Sequence, residues 1–151
     1  MHRRSLFLLL SAFLPAFLQA QERSFINPPD LSKPHGYSHV VAVPAGGKTL
    51  YVSGQMALDK DGNLVGKGDF QAQAEQVFAN LDKALKASGA SFKDVVRLDI
   101  YMTDATKTPE LRIVRDKYID TAHPPASTLV EVKRLVRDDV LLEVDVTAVV
   151  P

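Results

Sequence analysis

The sequence predicts an α+β domain, a sheet with helices packed on one of its faces. Three observations carry this. Residues 70–85 place apolar side chains at the i, i+4, i+7, i+8 spacing of a one-sided helix, while residues 95–103 and 141–150 alternate apolar and polar as half-buried strands do. The whole run reads ββ–α–β–α–ββ, with no repeats, low-complexity tracts or internal domain boundary.

Residues 1–20 have the three parts of a secretory signal peptide: Arg3 and Arg4, an apolar run from Leu6 to Leu18, and the small residue Ala20 at the cut. Ala16 offers an alternative cleavage position. That run is shorter than the ~20 residues a bilayer-spanning helix needs, so cleavage is expected rather than anchoring, with no membrane partner afterwards. Residues 21–36 hold Pro28, Pro29, Pro34 and Gly36 and read as an extended arm; residues 37–151 form the single domain.

Within that domain, Ser38–Val43 and Thr49–Ser53 read as short strands joined by the turn Pro44-Ala45-Gly46-Gly47, and residues 59–68 as a loop. Asp69 is placed to cap a helix running to about Ala87, where Gly89 suits the position after its end. Phe70, Ala74, Val77, Phe78, Leu81, Ala84 and Leu85 form its apolar stripe, and Gln73, Gln76, Asn80, Lys83 and Lys86 its polar face. In Val95–Thr103, Val96, Leu98, Ile100 and Met102 lie opposite Arg97, Asp99 and Tyr101. A second helix is expected over Pro109–Ala122, with proline in its first turn, followed by strands Ser127–Leu135 and Leu141–Val150. The last strand sets Glu143, Asp145 and Thr147 opposite an apolar face.

The 151 residues contain 46% hydrophobic and 24% charged side chains, which is globular composition, and no cysteine, which excludes disulfides, thiolate catalysis and cysteine-ligated zinc. Removing residues 1–20 takes away Arg3 and Arg4 and leaves 16 basic against 18 acidic groups, a balance unsuited to a nucleic-acid partner. Phosphate-binding loops, dinucleotide fingerprints, nucleophile elbows and zinc-protease helices are absent from the sequence. His35 and His39 are four apart but flank Gly36 and follow Pro34, so they read as loop histidines rather than metal ligands, as does His123 before Pro124-Pro125. Glu143 and Asp145 read either as a solvated strand face or as a carboxylate held rigidly beside a pocket, where it takes a proton from water. Ser53-Gly54-Gln55 ends a strand with a glycine that lets backbone approach a ligand.

From about Leu31 to Val150 the order and spacing of these pieces resembles the RidA/YjgF family of reactive-intermediate (enamine/imine) deaminases. The resemblance rests on Gly36-Tyr37-Ser38-His39, Leu50-Tyr51-Val52-Ser53-Gly54-Gln55, Asn80-Leu81 and Gly89-Ala90. It continues through Asp94-Val95-Val96-Arg97, Tyr101-Met102-Thr103-Asp104, Pro125-Ala126-Ser127-Thr128-Leu129-Val130-Glu131-Val132 and Leu142-Glu143-Val144-Asp145.

The resemblance implies a chorismate-mutase-like α+β fold and a homotrimer with clefts between subunits. It also implies hydrolysis of 2-imino acids or their enamine tautomers to 2-oxo acids and ammonia, with no cofactor and no metal. It assigns Glu143 to the attacking water and Tyr37 and Ser53 to the pocket lining. The family's substrate-carboxylate arginine falls at Ser127, a substrate-binding position that here offers one neutral hydrogen bond in place of a bidentate charged pair. Arg115, Lys133 and Arg134 are the alternative cations, with Arg134 on the opposite strand face from Ser127. Two readings follow: a deaminase with an atypical substrate, and a trimer that binds a small ligand without turnover. The endoribonuclease label sometimes attached to the family does not fit the charge balance. The signal segment points to a bacterial periplasmic or secreted location, away from the cytoplasmic source of the usual imines.

Overall fold

The computed structural model describes residues 22–151. The signal segment expected at residues 1–20 lies outside the described residues. Eight regular elements follow in order: β1 Ser24–Ile26, β2 Val40–Ala42, β3 Lys48–Gln55, α1 Phe70–Ala87, β4 Val95–Met102, α2 Thr108–Arg115, β5 Ala126–Glu131 and β6 Leu142–Val150. The main sheet has the order β3-β6-β4-β5, with β6 antiparallel to both neighbours and β4 parallel to β5. The expected α+β class is the one observed.

Helix α1 begins where Asp69 accepts a hydrogen bond from the Ala72 amide at 3.0 Å, and it ends before Gly89 at φ +76°, a conformation glycine adopts without a Cβ clash. Its stripe of Ala74, Val77, Phe78, Leu81 and Leu85 packs on Leu98, Ile100 and Met102 of β4 and Leu142, Val144, Val146 and Ala148 of β6. Leu111 and Val114 of α2 join the same core. Burying each large side chain contributes about 1.5–3 kcal/mol, so this helix-covered face holds the domain together.

Several details differ from the sequence reading. The arm is not merely extended: β1 pairs antiparallel with β2 in a separate two-stranded sheet, Phe25 opposite Val41. The turn at residues 44–47 therefore leads from one sheet into another. Helix α2 stops at Arg115 instead of Ala122, because the chain tightens into a turn that sends Ile119 and Tyr118 inward, the latter against Phe78 and Phe92. Strand β5 ends at Glu131 rather than Leu135; Val132 donates once more, to Met102 O, before a charged turn takes over. That turn carries Arg134, exposed and paired with Asp138, so it does not stand on a strand face at all.

Gln73, assigned to the polar face of α1, is fully buried. Its Nε2 donates to Gly66 O and Asp139 O, and its Oε1 accepts from the Leu141 amide at 2.8 Å. With every polar atom partnered, its burial is tolerated, and it holds the chain just before β6.

Candidate functional site

Strand β6 puts Leu142 and Val144 into the core and so turns Glu143 to the outer face, away from the helices. There Glu143 stands opposite Tyr101 of β4. On its other side β3 is irregular. Val52 pairs with Val146 but Gln55 with Val144, so one extra residue bulges at Ser53-Gly54. The bulge brings Gly54 under the carboxylate. A methyl group at position 54 would lie 2.9 Å from Glu143 Cδ and closer still to Oε1. Glycine at 54 is thus the condition for Glu143 to lie where it does. Among the described residues Glu143 has no ion-pair partner, which leaves its oxygens free to accept from water.

Asp145, two residues on, is occupied differently. It faces Asp99 across the β4–β6 ladder, and Asp99 is clamped by Arg97 through Nε at 2.6 Å and Nη2 at 2.7 Å. Burial, and then the Asp99 charge, push the Asp145 carboxyl above its ordinary range, against the pull of Arg97. Arg97 also reaches Thr128 of β5 at 3.3 Å. Of the two β6 carboxylates, only Glu143 borders the bulge and its glycine.

The other two site residues lie elsewhere. Ser127 pairs with Leu98, whose side chain is in the core, so Ser127 points to the helix side of the sheet, opposite to Glu143. It is also two strands away from Glu143, at ~4.8 Å per strand. Tyr37 follows Gly36 (φ +77°) on a turn that docks at the entrance to β5. The neighbouring Ser38, only 2% exposed, donates its amide to Pro125 O at 3.1 Å and its Oγ to Pro124 O at 2.7 Å. The Tyr37 ring stands edge-on to His39, whose Nε2 lies 2.8 Å from Ser32 O.

One chain therefore brings Glu143, Gly54 and Ser53 together on the outer face and sets Tyr37 and Ser127 at a separate corner. No group of three or more metal-binding side chains occurs among the described residues. Sequence reasoning missed two features. One is the packing of Glu143 on Gly54, which needs a bulge that no residue pattern announces. The other is the setting of Arg115, one of the alternative cations: at the end of α2 and only 7% exposed, it sits against Gly36 beside Tyr37.

The Endoribonuclease L-PSP family model matches residues 30–150. A RutC family protein of Synechocystis sp. is 36% identical over 68% of this chain and 78% of its own length. A 2-iminobutanoate/2-iminopropanoate deaminase of Dermatophagoides farinae is 31% identical over 71% of this chain and 82% of that protein. The crystal structure of YyfB, a Rid-family protein of Yersinia pestis, superposes with a TM-score of 0.73 at 34% identity, over 85% of this chain and 98% of that one. A match across nearly all the described residues, with the same fold, makes the chain a member of the RidA/YjgF/RutC family, the family described as Endoribonuclease L-PSP.

Proposed function

We propose that the chain hydrolyses a reactive imine or enamine to a carbonyl compound and ammonia. The observation that carries this is Glu143: a carboxylate on a strand paired on both sides, free of ion pairs, set over a glycine that leaves room for it. Water accepted by Glu143 gives up a proton as its oxygen bonds to the imine carbon, and the proton passes to the imine nitrogen. In the resulting carbinolamine Glu143 takes the hydroxyl proton and returns it to the nitrogen as the C–N bond breaks, releasing ammonia and forming C=O. Each step needs only one positioned base and a held substrate. Ser53 lines the water side, and Tyr37 and Ser127 line the substrate side.

Because those two groups stand apart on one chain, the reading includes a homotrimer in which each site joins the Glu143 side of one subunit to the Tyr37 corner of the next. The outer sheet face offers the contact surface: it carries Tyr51, 83% exposed, and Val130. The signal-peptide pattern of residues 1–20 supports a reading in which this activity lies in the bacterial periplasm or outside the cell. A small-ligand binder without turnover is the second reading, favoured by the uncharged Ser127.

The test is imine loss. An amino-acid oxidase generates 2-iminobutanoate, semicarbazide traps what remains, and the purified chain competes. We expect acceleration by the wild type and its reduction by ~10²–10⁴-fold in Glu143→Gln. Equal rates for the two proteins exclude the proposed base, and no acceleration by either leaves the binder.

A further inference from the structure

Resting on the imine-deaminase reading, we propose that Tyr101 of β4 is a catalytic residue: its hydroxyl donates a hydrogen bond to the oxygen that passes from the attacking water to the product carbonyl. Tyr101 stands directly opposite Glu143 in the β4–β6 ladder, so both side chains leave the sheet on its outer face, with Cβ atoms ~5 Å apart. Both residues are half-buried. On its other side Tyr101 faces Val130 of β5, which has no polar side-chain atom to offer. Two residues back on the same strand face, Asp99 is taken up by Arg97 at 2.6 and 2.7 Å. Two residues on, Thr103 turns to Leu141 O at 3.5 Å. The Tyr101 hydroxyl has no hydrogen-bond partner among the described residues, and since no buried side-chain oxygen there lacks one, it opens to solvent. A free donor thus stands beside a free acceptor.

The Glu143 carboxylate leans the other way, over Gly54 of β3. Carboxylate and phenol therefore flank β6 from opposite sides, above strands β3 and β4, which lie ~10 Å apart. That gap takes a water and a planar C=N group. The water gives its proton to Glu143 and bonds to the imine carbon through one lone pair, and its second lone pair accepts from Tyr101. In the carbinolamine the same oxygen is the hydroxyl. As Glu143 takes the hydroxyl proton and the C–N bond breaks, negative charge gathers on that oxygen before C=O is complete, and the bond from the phenol strengthens. Glu143 returns the proton to the nitrogen, ammonia leaves, and Tyr101 ends the cycle with its own proton in place. A fixed donor aimed at a developing oxyanion lowers the barrier while adding little to ground-state binding.

Steady-state hydrolysis of 2-iminobutanoate by the purified chain and by Tyr101→Phe, which keeps the ring and its packing beside Val130, tests the donor. We expect kcat to fall ~10²-fold with KM and the urea midpoint unchanged. Glu143→Gln and the double variant Glu143→Gln/Tyr101→Phe are expected to be equally slow, because both groups act on one oxygen. Wild-type kcat in Tyr101→Phe overturns the proposal and leaves the deaminase standing. A loss that appears in KM, or together with a lowered urea midpoint, assigns Tyr101 to packing and overturns it as well. No hydrolysis by the wild type removes the deaminase reading and the proposal with it.

Discussion

Glu143 stands in a strand bonded to neighbours on both sides, whereas Tyr37 stands on a turn held by a few polar contacts from other elements. The first arrangement fixes a reacting group through the backbone ladder, and a single glycine gives it clearance. The second depends on one buried hydroxyl, two proline carbonyls and the guanidinium groups of α2. On the proposed reading the base sits in a strand paired on both sides, Tyr37 on a turn, and Ser127 at the start of the edge strand β5.

The comparison is broken most strongly at Gly54. A methyl group there collides with the flexible end of Glu143, so Gly54→Ala displaces the carboxylate and lowers imine hydrolysis by more than about 10²-fold, with little change in stability because the side chain swings aside. Urea unfolding and the imine assay on one preparation check both, and unchanged activity in Gly54→Ala contradicts the account of the base. At the other region, Ser38→Ala removes the bond to Pro124 O and leaves a half-buried carbonyl short of a partner. The expected cost is about 1 kcal/mol in urea, with a raised KM for the imine as the Tyr37 turn loosens.

The smallest effect separates Asp145 from Glu143. The folded chain holds the Asp145 proton more tightly than the ordinary carboxyl at 3.8 does. Its contribution to stability is therefore fully present below that value and is lost as pH rises through the raised folded-state pKa. At pH 7 the ionised Asp145 faces Asp99, with Arg97 engaged by Asp99. Asp145→Asn is expected to be more stable than wild type there by about 0.2–1 kcal/mol, the gap closing in acid. Thermal melts at pH 7 and pH 3.5 read the sign, and a variant less stable at pH 7 refutes it.

The fold was largely legible because burial is one-sided: the α1 stripe and the alternation in β4 and β6 leave one consistent layer arrangement. What periodicity missed lies where long-range contacts overrule it. The short β1 becomes a strand only by pairing with β2, fourteen or more residues away in sequence. Helix α2 ends early because Tyr118 and Ile119 gain more from the core than from another helical turn. Gln73 looks like a surface residue until two loops close over it. Within the site, Glu143 and Ser53 were readable from alternation and from their neighbouring glycine. That Ser127 points to the face opposite Glu143 was not, since it depends on the register of β4 with β5.

The central claim is that one chain holds two separated halves of a site and two copies complete it. Glu143→Gln and Tyr37→Phe each disable a different half. Co-expressed at equal levels with two affinity tags and purified through both, the mixed oligomer should recover activity that neither variant has alone. Random assembly of a ring with one shared site per interface gives about one quarter of the wild-type rate before tag selection. Activity that stays at the level of the separate variants contradicts the shared site.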